Sequence, residues 1–200
     1  MKGNVERRMC CLLLEIIALV RGAYSGPRKL NENRTVIVVV CGVAGVGKTT
    51  IGRLLAQERG WEFYDADDFH PAANIEKMKA GIRLTDDDRW PWLDRLRQQI
   101  KRCLAAHENA VIACSALKRA YRDRLRVTEE VKFVFLRASR AQVVEHFQQR
   151  RGHFMPTTLL DSQFADLEEP QPQEDALTID LKGSPRDVAS LIKKKLSLQS

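Results

Sequence analysis

The chain has 200 residues, which is enough for one α/β domain and an additional short segment. Its hydrophobic content of 44% is typical of a protein with a hydrophobic core. Its formal net charge is +7, but residues 1–34 alone hold seven basic and three acidic residues, so the basic character does not indicate a nucleic-acid surface. Five cysteines without framework spacing favour free thiols in a reducing compartment and exclude a zinc-finger pattern.

Residues 1–34 read as an N-terminal extension. The stretch from Met9 to Val20 is apolar apart from Glu15, but it is too short to span a bilayer, so we expect no stable membrane association. It loosely resembles a leader peptide, and a dispensable extension, an organelle-targeting leader and a secretory leader all remain open. A polar linker follows, and a single domain over residues 35–200 is expected to begin near Thr35.

The most informative segment is an apolar run that leads into a glycine-rich loop. Residues 36–40 are five consecutive β-branched residues, typical of a strand buried on both faces of a parallel sheet. The run continues into the phosphate-binding loop signature and a helical pattern over residues 51–59, whose N-terminus would face an anion. The predicted nucleotide-binding residues are Gly42, Val43, Ala44, Gly45, Val46, Gly47, Lys48, Thr49 and Thr50.

Within this loop, two side chains have predicted roles. Lys48 is expected to reach the β- and γ-phosphates of ATP and so to act in catalysis, and the Thr49 hydroxyl is expected to hold Mg²⁺. The sequence therefore predicts a nucleotide site that uses ATP and Mg²⁺ at the end of the first strand.

Strand-like and helical patterns alternate along the rest of the chain. This alternation predicts right-handed βαβ units and a parallel sheet covered by helices on both faces, with the ligand at the carboxyl ends of the strands. The predicted strands after the first cover residues 61–64, 110–114, 131–136 and 176–181. The predicted helices after the loop cover residues 51–59, 74–80, 91–106, 116–126, 141–150, 158–168 and 185–196.

Two aspartates follow the second predicted strand. Asp65 and Asp67 are separated by one residue, so on extended backbone their side chains point into the same cavity. We assign Asp65 to Mg²⁺, and Asp67 to the substrate and to general base catalysis on an attacking hydroxyl. The alternative for both residues is capping of the turn.

Further candidates for the substrate site lie after the second and third strands. His70 either contacts the substrate or orders its loop. Arg89 can bind a carboxylate through two hydrogen bonds from its guanidinium group. Residues 86–88 are three acids that either cap the next helix or bond substrate hydroxyls. Ser115, Lys118 and Arg122 offer a hydroxyl and two cations to a small anionic substrate, the alternative being a generic basic helix.

A basic segment with glycine and proline follows the helix predicted over residues 141–150. This composition is typical of a closing lid, here at about residues 150–160. Arg150 or Arg151 could stabilise charge on the transferring phosphoryl group, with Arg150 the candidate named here, and His153 is a candidate substrate contact. Plain surface charge is the alternative.

Taken together, these segments resemble the gluconokinase family, in the shikimate-kinase-like group of the nucleoside monophosphate kinase fold. The matching motifs occur in family order: residues 42–49, 65–71, 74–78, Gly81 with Leu84, 86–93, 114–118, 121–123, 152–154, 162–164 and 167–168. The departures are modest: Ala44 and Val46 stand where hydroxyl residues are common, and Arg83 replaces a usual proline.

The resemblance implies ATP-dependent phosphorylation of D-gluconate on its 6-hydroxyl, which feeds the pentose phosphate route. It also implies a P-loop kinase three-layer sandwich, with a five-stranded parallel sheet, a substrate-binding insertion and a lid, and commonly a homodimer. A cytoplasmic location is expected for such an enzyme. The alternatives are a kinase for shikimate or another small hydroxy acid, a nucleotide kinase, and a non-catalytic ATP-binding protein.

Overall fold

The computed structural model describes residues 35–149 and 157–198. Within them, five parallel strands form one sheet in the order β2-β3-β1-β4-β5, which confirms the predicted α/β class. The strands are β1 (Ile37–Cys41), β2 (Glu62–Asp65), β3 (Ala110–Ala113), β4 (Val131–Arg137) and β5 (Ala176–Asp180). The helices are α1 (Lys48–Arg59), α2 (Ala72–Lys79), α3 (Asp86–Ala105), α4 (Arg119–Leu125), α5 (Arg140–Gln149), α6 (Thr157–Asp166) and α7 (Pro185–Lys195).

The sheet is covered on both faces because its central strand is apolar throughout. Strand β1 pairs in parallel with β3 on one side and β4 on the other, and all five of its residues are buried. Val38 and Val40 lie in a cluster with residues of α1 and α7, whereas Ile37, Val39 and Cys41 cluster with residues of α3. The result is the three-layer arrangement that the buried strand pattern predicts.

Six helices begin one to five residues from their predicted starts, and two of these shifts have a clear physical cause. Helix α3 starts at Asp86 rather than Pro91, because Thr85 and Asp88 form a reciprocal capping box; Pro91 lies inside the helix without an amide donor. Helix α4 starts at Arg119 rather than residue 116, because Ala116 has a positive φ of 40° and Lys118 is extended. As a result, each of these helices begins with a charged residue, Asp86 in α3 and Arg119 in α4.

The division at residue 34 stays a prediction, since residues 1–34 lie outside the described part. We expect that deleting residues 1–33 leaves kcat and Tm essentially unchanged, because the phosphate loop and the entire sheet lie C-terminal to the deletion. Steady-state kinetics and a thermal melt of the truncated chain measure this directly. Aggregation or a markedly lower Tm would instead show that the apolar segment 9–20 packs on the domain.

Candidate active site

The carboxyl ends of β1, β2 and β3 open into one cavity of about 540 Å³, a volume within the range of small-molecule sites. The sheet order explains this convergence, because β1, β3 and β2 are neighbours and parallel. Nine of the predicted site residues line this one cavity: Ala44, Gly45, Lys48, Thr49, Asp65, Asp67, His70, Arg89 and Ser115.

The phosphate loop depends on two glycines for its shape. Gly42 has a φ of 139°, and a Cβ there would lie 2.7 Å from the carbonyl oxygen of Leu136, so only glycine fits the turn out of β1. Its amide donates to the Ser115 carbonyl at 3.1 Å, which joins the loop to the end of β3. At Gly45, with a φ of 79°, a Cβ would lie 2.5 Å from the Phe147 ring of α5.

Lys48 lies over this loop. Its Nζ donates to the carbonyl oxygen of Val43 at 2.9 Å. Burial lowers the pKa of the ammonium group, while the nearby Asp67 and Asp65 carboxylates raise it. A bound anion would stabilise the charged form of this ammonium group, and a nucleotide phosphate would supply that anion.

Helix α6 also contacts the loop. The Ala44 amide donates to Gln163 Oε1 at 2.7 Å, so a side chain from the far side of the cavity reaches a backbone donor of the phosphate site. Gln163, Ser162 and Leu159 of this helix all line the cavity. The helix that follows residues 150–156 thus forms one wall of the site.

Thr49 and Asp65 form the pair expected at a magnesium site. Thr49 Oγ1 donates to Asp65 Oδ2 at 2.9 Å, and Asp65 Oδ1 accepts from the Asp67 amide at 3.2 Å. Asp65 therefore also caps the turn over residues 66–69, which was its alternative reading. Among the described residues, no group of three or more His, Cys, Asp or Glu side chains could hold a metal by itself.

Asp67 projects into the open part of the cleft, where 84% of its side chain is exposed. Desolvation by the cleft walls raises the pKa of its carboxyl group, the neighbouring Asp65 raises it further, and Lys48 opposes both. Solvent screens much of this effect in the open cleft. A carboxylate with free oxygens beside Lys48 can accept a proton from a bound hydroxyl.

His70 is buried behind Asp67 and is neutral at physiological pH. Its ring stacks on Trp92 at 4.4 Å, and burial together with Arg89 lowers its pKa to about 4. Asn74 Nδ2 donates to the Asp88 carbonyl at 2.7 Å and lies 3.3 Å from His70 Nδ1, so Nδ1 is the acceptor. The ring proton therefore sits on Nε2, which lies 4.0 Å from Asp67 Oδ1.

Two arginines of the cavity lining share one aspartate. Arg89 Nη1 donates to Asp166 Oδ2 at 3.1 Å and to the Tyr121 hydroxyl at 3.0 Å. Arg83 Nη2 donates to Asp166 Oδ1. The Tyr121 hydroxyl donates in turn to Asp86 Oδ1 at 2.6 Å. Arg89 therefore lines the cavity, and its hydrogen bonds to Asp166 and Tyr121 fix the orientation of its guanidinium group.

Two other predicted substrate cations lie off the cavity lining. Lys118 Nζ donates to both carboxylate oxygens of Asp86, at 2.7 and 2.8 Å. Arg122 is 1% exposed and forms two hydrogen bonds with the Glu174 carboxylate, at 2.7 and 3.0 Å. This placement corrects the expectation that Lys118 and Arg122 face the substrate together, because Arg122 is paired inside the core and Lys118 precedes the helix.

The Arg122–Glu174 pair predicts a stability effect. Arg122→Ala should lower the free energy of unfolding by about 3–5 kcal/mol, since it strands a buried carboxylate. Burial raises the pKa of Glu174, but bonds from Arg122 and the Gln171 amide outweigh it and hold the pKa low. The stabilisation is therefore present at neutral pH and lost as the pH falls through that lowered pKa.

Urea unfolding of the purified variants tests this effect. The matched control is Arg119→Ala, because Arg119 is 56% exposed and, among the described residues, its one ion-pair partner is Asp123 at 3.6 Å. We expect the control to change the free energy of unfolding by less than about 1 kcal/mol. Equal values for both variants would show that the buried pair contributes little.

Arg150 and His153 lie outside the described residues, so their predicted roles at a lid stay predictions. The sequence reasoning gave no role to Arg83, Gln163 or Asp166, all of which contact the site. One signal was available for the last two. Gln163 and Asp166 are three residues apart on a short helix, so they share a face, and both are polar.

Comparison with known proteins places the chain in a family. The family model described as shikimate kinase matches residues 44–196. A gluconokinase of Gluconobacter oxydans is 46% identical over 147 residues, which cover 71% of this chain and 80% of that protein. The thermosensitive gluconokinase of Escherichia coli K12 is 43% identical over 155 residues, which cover 76% and 81%.

Solved structures agree with these relatives. A gluconokinase from Sinorhizobium meliloti 1021 has a TM-score of 0.72 at 38% identity, covering 85% of this chain and 99% of that one. A shikimate kinase from Acinetobacter baumannii, at 21% identity and a TM-score of 0.53, shares the fold. The resemblance seen in the motifs is confirmed, and this chain belongs to the gluconokinase family of P-loop kinases.

Proposed function

We propose that this protein transfers the γ-phosphoryl group of ATP to the 6-hydroxyl of D-gluconate and releases 6-phospho-D-gluconate and ADP. The observation that carries the proposal is one shared cavity, which is lined by Lys48 and Thr49 of the phosphate site, by Asp67 and by Arg89. A phosphate site, a base and a cation for a carboxylate are the groups that this reaction needs. The product would feed the pentose phosphate route.

The side chains divide the reaction between them. Asp67, deprotonated, accepts the proton of the 6-hydroxyl as that oxygen forms its bond to the γ-phosphorus. The bond between the γ-phosphorus and the bridging oxygen breaks, and ADP leaves with the electron pair. Lys48 balances charge on the transferring group. We also propose that Arg150 adds positive charge when the lid closes.

Thr49 and Asp65 fit a magnesium ion. A hydroxyl and a carboxylate 2.9 Å apart are hard oxygen donors, and Mg²⁺ in phosphate sites takes few protein ligands and several waters and phosphate oxygens. Thr49 would hold it directly, and Asp65 through water. When bound, the ion supplies charge neutralisation on the β- and γ-phosphate oxygens.

The assembly and location of the protein follow the family expectation. We propose a homodimer in the cytoplasm, with gluconate and ATP as its ligands and no nucleic-acid partner. Of the helices that the structure describes, none combines the length and the apolar character needed to cross a membrane. Size-exclusion chromatography with light scattering tests the dimer.

A coupled assay of ADP release tests the reaction. The full chain is assayed with ATP and Mg²⁺ against gluconate, shikimate, glucose and a nucleoside monophosphate. We expect turnover with gluconate and little with the other acceptors. Preferred turnover of shikimate would assign the chain to the sister activity, and the absence of turnover with every acceptor would contradict the proposal.

A further inference from the structure

We propose that Arg83 determines acceptor specificity, receiving the carboxylate of the sugar acid together with Arg89. This inference rests on the proposed function and names a residue for it that the motifs do not supply. Both arginines line the cavity. They approach the two oxygens of the same carboxylate, Arg83 at Asp166 Oδ1 and Arg89 at Asp166 Oδ2. Asp166 thereby holds two guanidinium groups of the cavity lining side by side.

Among the described residues, the ion-pair network around Asp166 is not neutral. Three cations, Arg83, Arg89 and Lys118, the last of them off the cavity lining, are connected through two carboxylates, Asp86 and Asp166. The buried neighbour His70 is neutral at physiological pH and adds no charge. One positive charge therefore remains, and a single carboxylate neutralises it.

The two arginines differ in how firmly they are held. The Arg89 side chain is only 12% exposed and is bonded to both Tyr121 and Asp166, so its orientation is set by the protein. The Arg83 side chain is 53% exposed, and among the described residues Asp166 is its one ion-pair partner, reached through Nη2. Among the described residues, the Nη1 and Nε donors of Arg83 have no hydrogen-bond partner and can donate to a ligand in the cavity.

The backbone delivers Arg83 to the cavity rim. Helix α2 ends at Lys79, Gly81 adopts a φ of 71°, and the Ile82 amide donates to the Lys77 carbonyl at 2.8 Å. Leu84, which is 7% exposed, anchors the chain directly after Arg83. A fixed backbone with an exposed guanidinium is suited to binding a planar carboxylate through two parallel hydrogen bonds.

The test compares Arg83→Gln with Arg95→Gln, an identical charge change at an exposed position of α3 that does not line the cavity. Each full-length variant is assayed with D-gluconate and with D-gluconamide, in which a neutral amide replaces the carboxylate. We expect Arg83→Gln to lower kcat/KM for gluconate by roughly 10- to 150-fold, mainly through KM. For Arg83→Gln, kcat/KM for gluconamide and KM for ATP should equal the wild-type values. Arg83→Lys should restore part of the lost kcat/KM for gluconate. The control Arg95→Gln should have wild-type kinetic constants for both acceptors.

The possible failures are distinguishable. If the wild-type protein does not phosphorylate gluconate, the proposed function and this inference both fail. If the wild-type protein is active but Arg83→Gln keeps its gluconate KM within twofold, only the role of Arg83 is overturned. A raised KM for ATP in Arg83→Gln would assign the guanidinium to nucleotide binding. Equal losses of kcat/KM for gluconate and gluconamide, together with a lowered Tm, would show that Arg83 mainly supports Asp166. Either result overturns the proposal.

Discussion

Lys48→Ala should lower kcat by about 10³-fold or more while the protein stays folded. Removing one preorganised group that stabilises transition-state charge typically costs 10²–10³-fold, and a cation on the transferring phosphoryl group contributes more than a neutral donor. The fold should not suffer, because the Nζ of Lys48 makes its hydrogen bond to a loop carbonyl and burial already disfavours its charge. We expect Tm to equal or exceed that of the wild type.

The measurement is kcat at saturating ATP and gluconate, with a thermal melt of the same preparation. Lys101→Ala is the matched control, because Lys101 is exposed on α3 and does not line the cavity. A folded Lys48→Ala protein with kcat within tenfold of wild type would contradict the assignment of the phosphate loop.

The parts of the site that the sequence predicted are those in which neighbouring residues act together. The phosphate loop follows its strand directly, and Asp65 and Asp67 are two residues apart, so local spacing specified both. Parallel strands then bring their carboxyl ends to one edge, whatever their order in the sheet. This geometry explains why Ser115, which follows β3, also lies in the cavity lining.

The parts that the sequence did not predict depend on partners far apart in the chain. Arg122 looks like a surface cation on a basic helix until Glu174, 52 residues later, is brought beside it. Arg83 meets Asp166 across 83 residues, and nothing local distinguishes Arg83 from a solvated charge. An ion pair is a tertiary contact, and helical or strand periodicity carries no information about it.

Asp67→Asn is the substitution that separates base catalysis from binding, and we expect it to lower kcat by roughly 10²–10⁴-fold. The amide retains the size of the carboxylate but cannot accept the proton of the 6-hydroxyl. ATP affinity should change little, because Thr49 and Asp65 would still hold the magnesium ion. Tm should not fall, since the cleft disfavours the charged form of Asp67 and the substitution removes that charge.

The neighbouring Asp68→Asn provides the control for this last prediction, because Asp68 is exposed, carries the same charge and does not line the cavity. Its kcat should remain within about twofold of wild type. Parallel losses in ATP affinity and kcat for Asp67→Asn would move Asp67 to the metal site instead. If Asp67→Asn were as active as the Asp68 variant, neither role would stand, and no carboxylate in the described cavity lining except Asp65 would remain to take the proton.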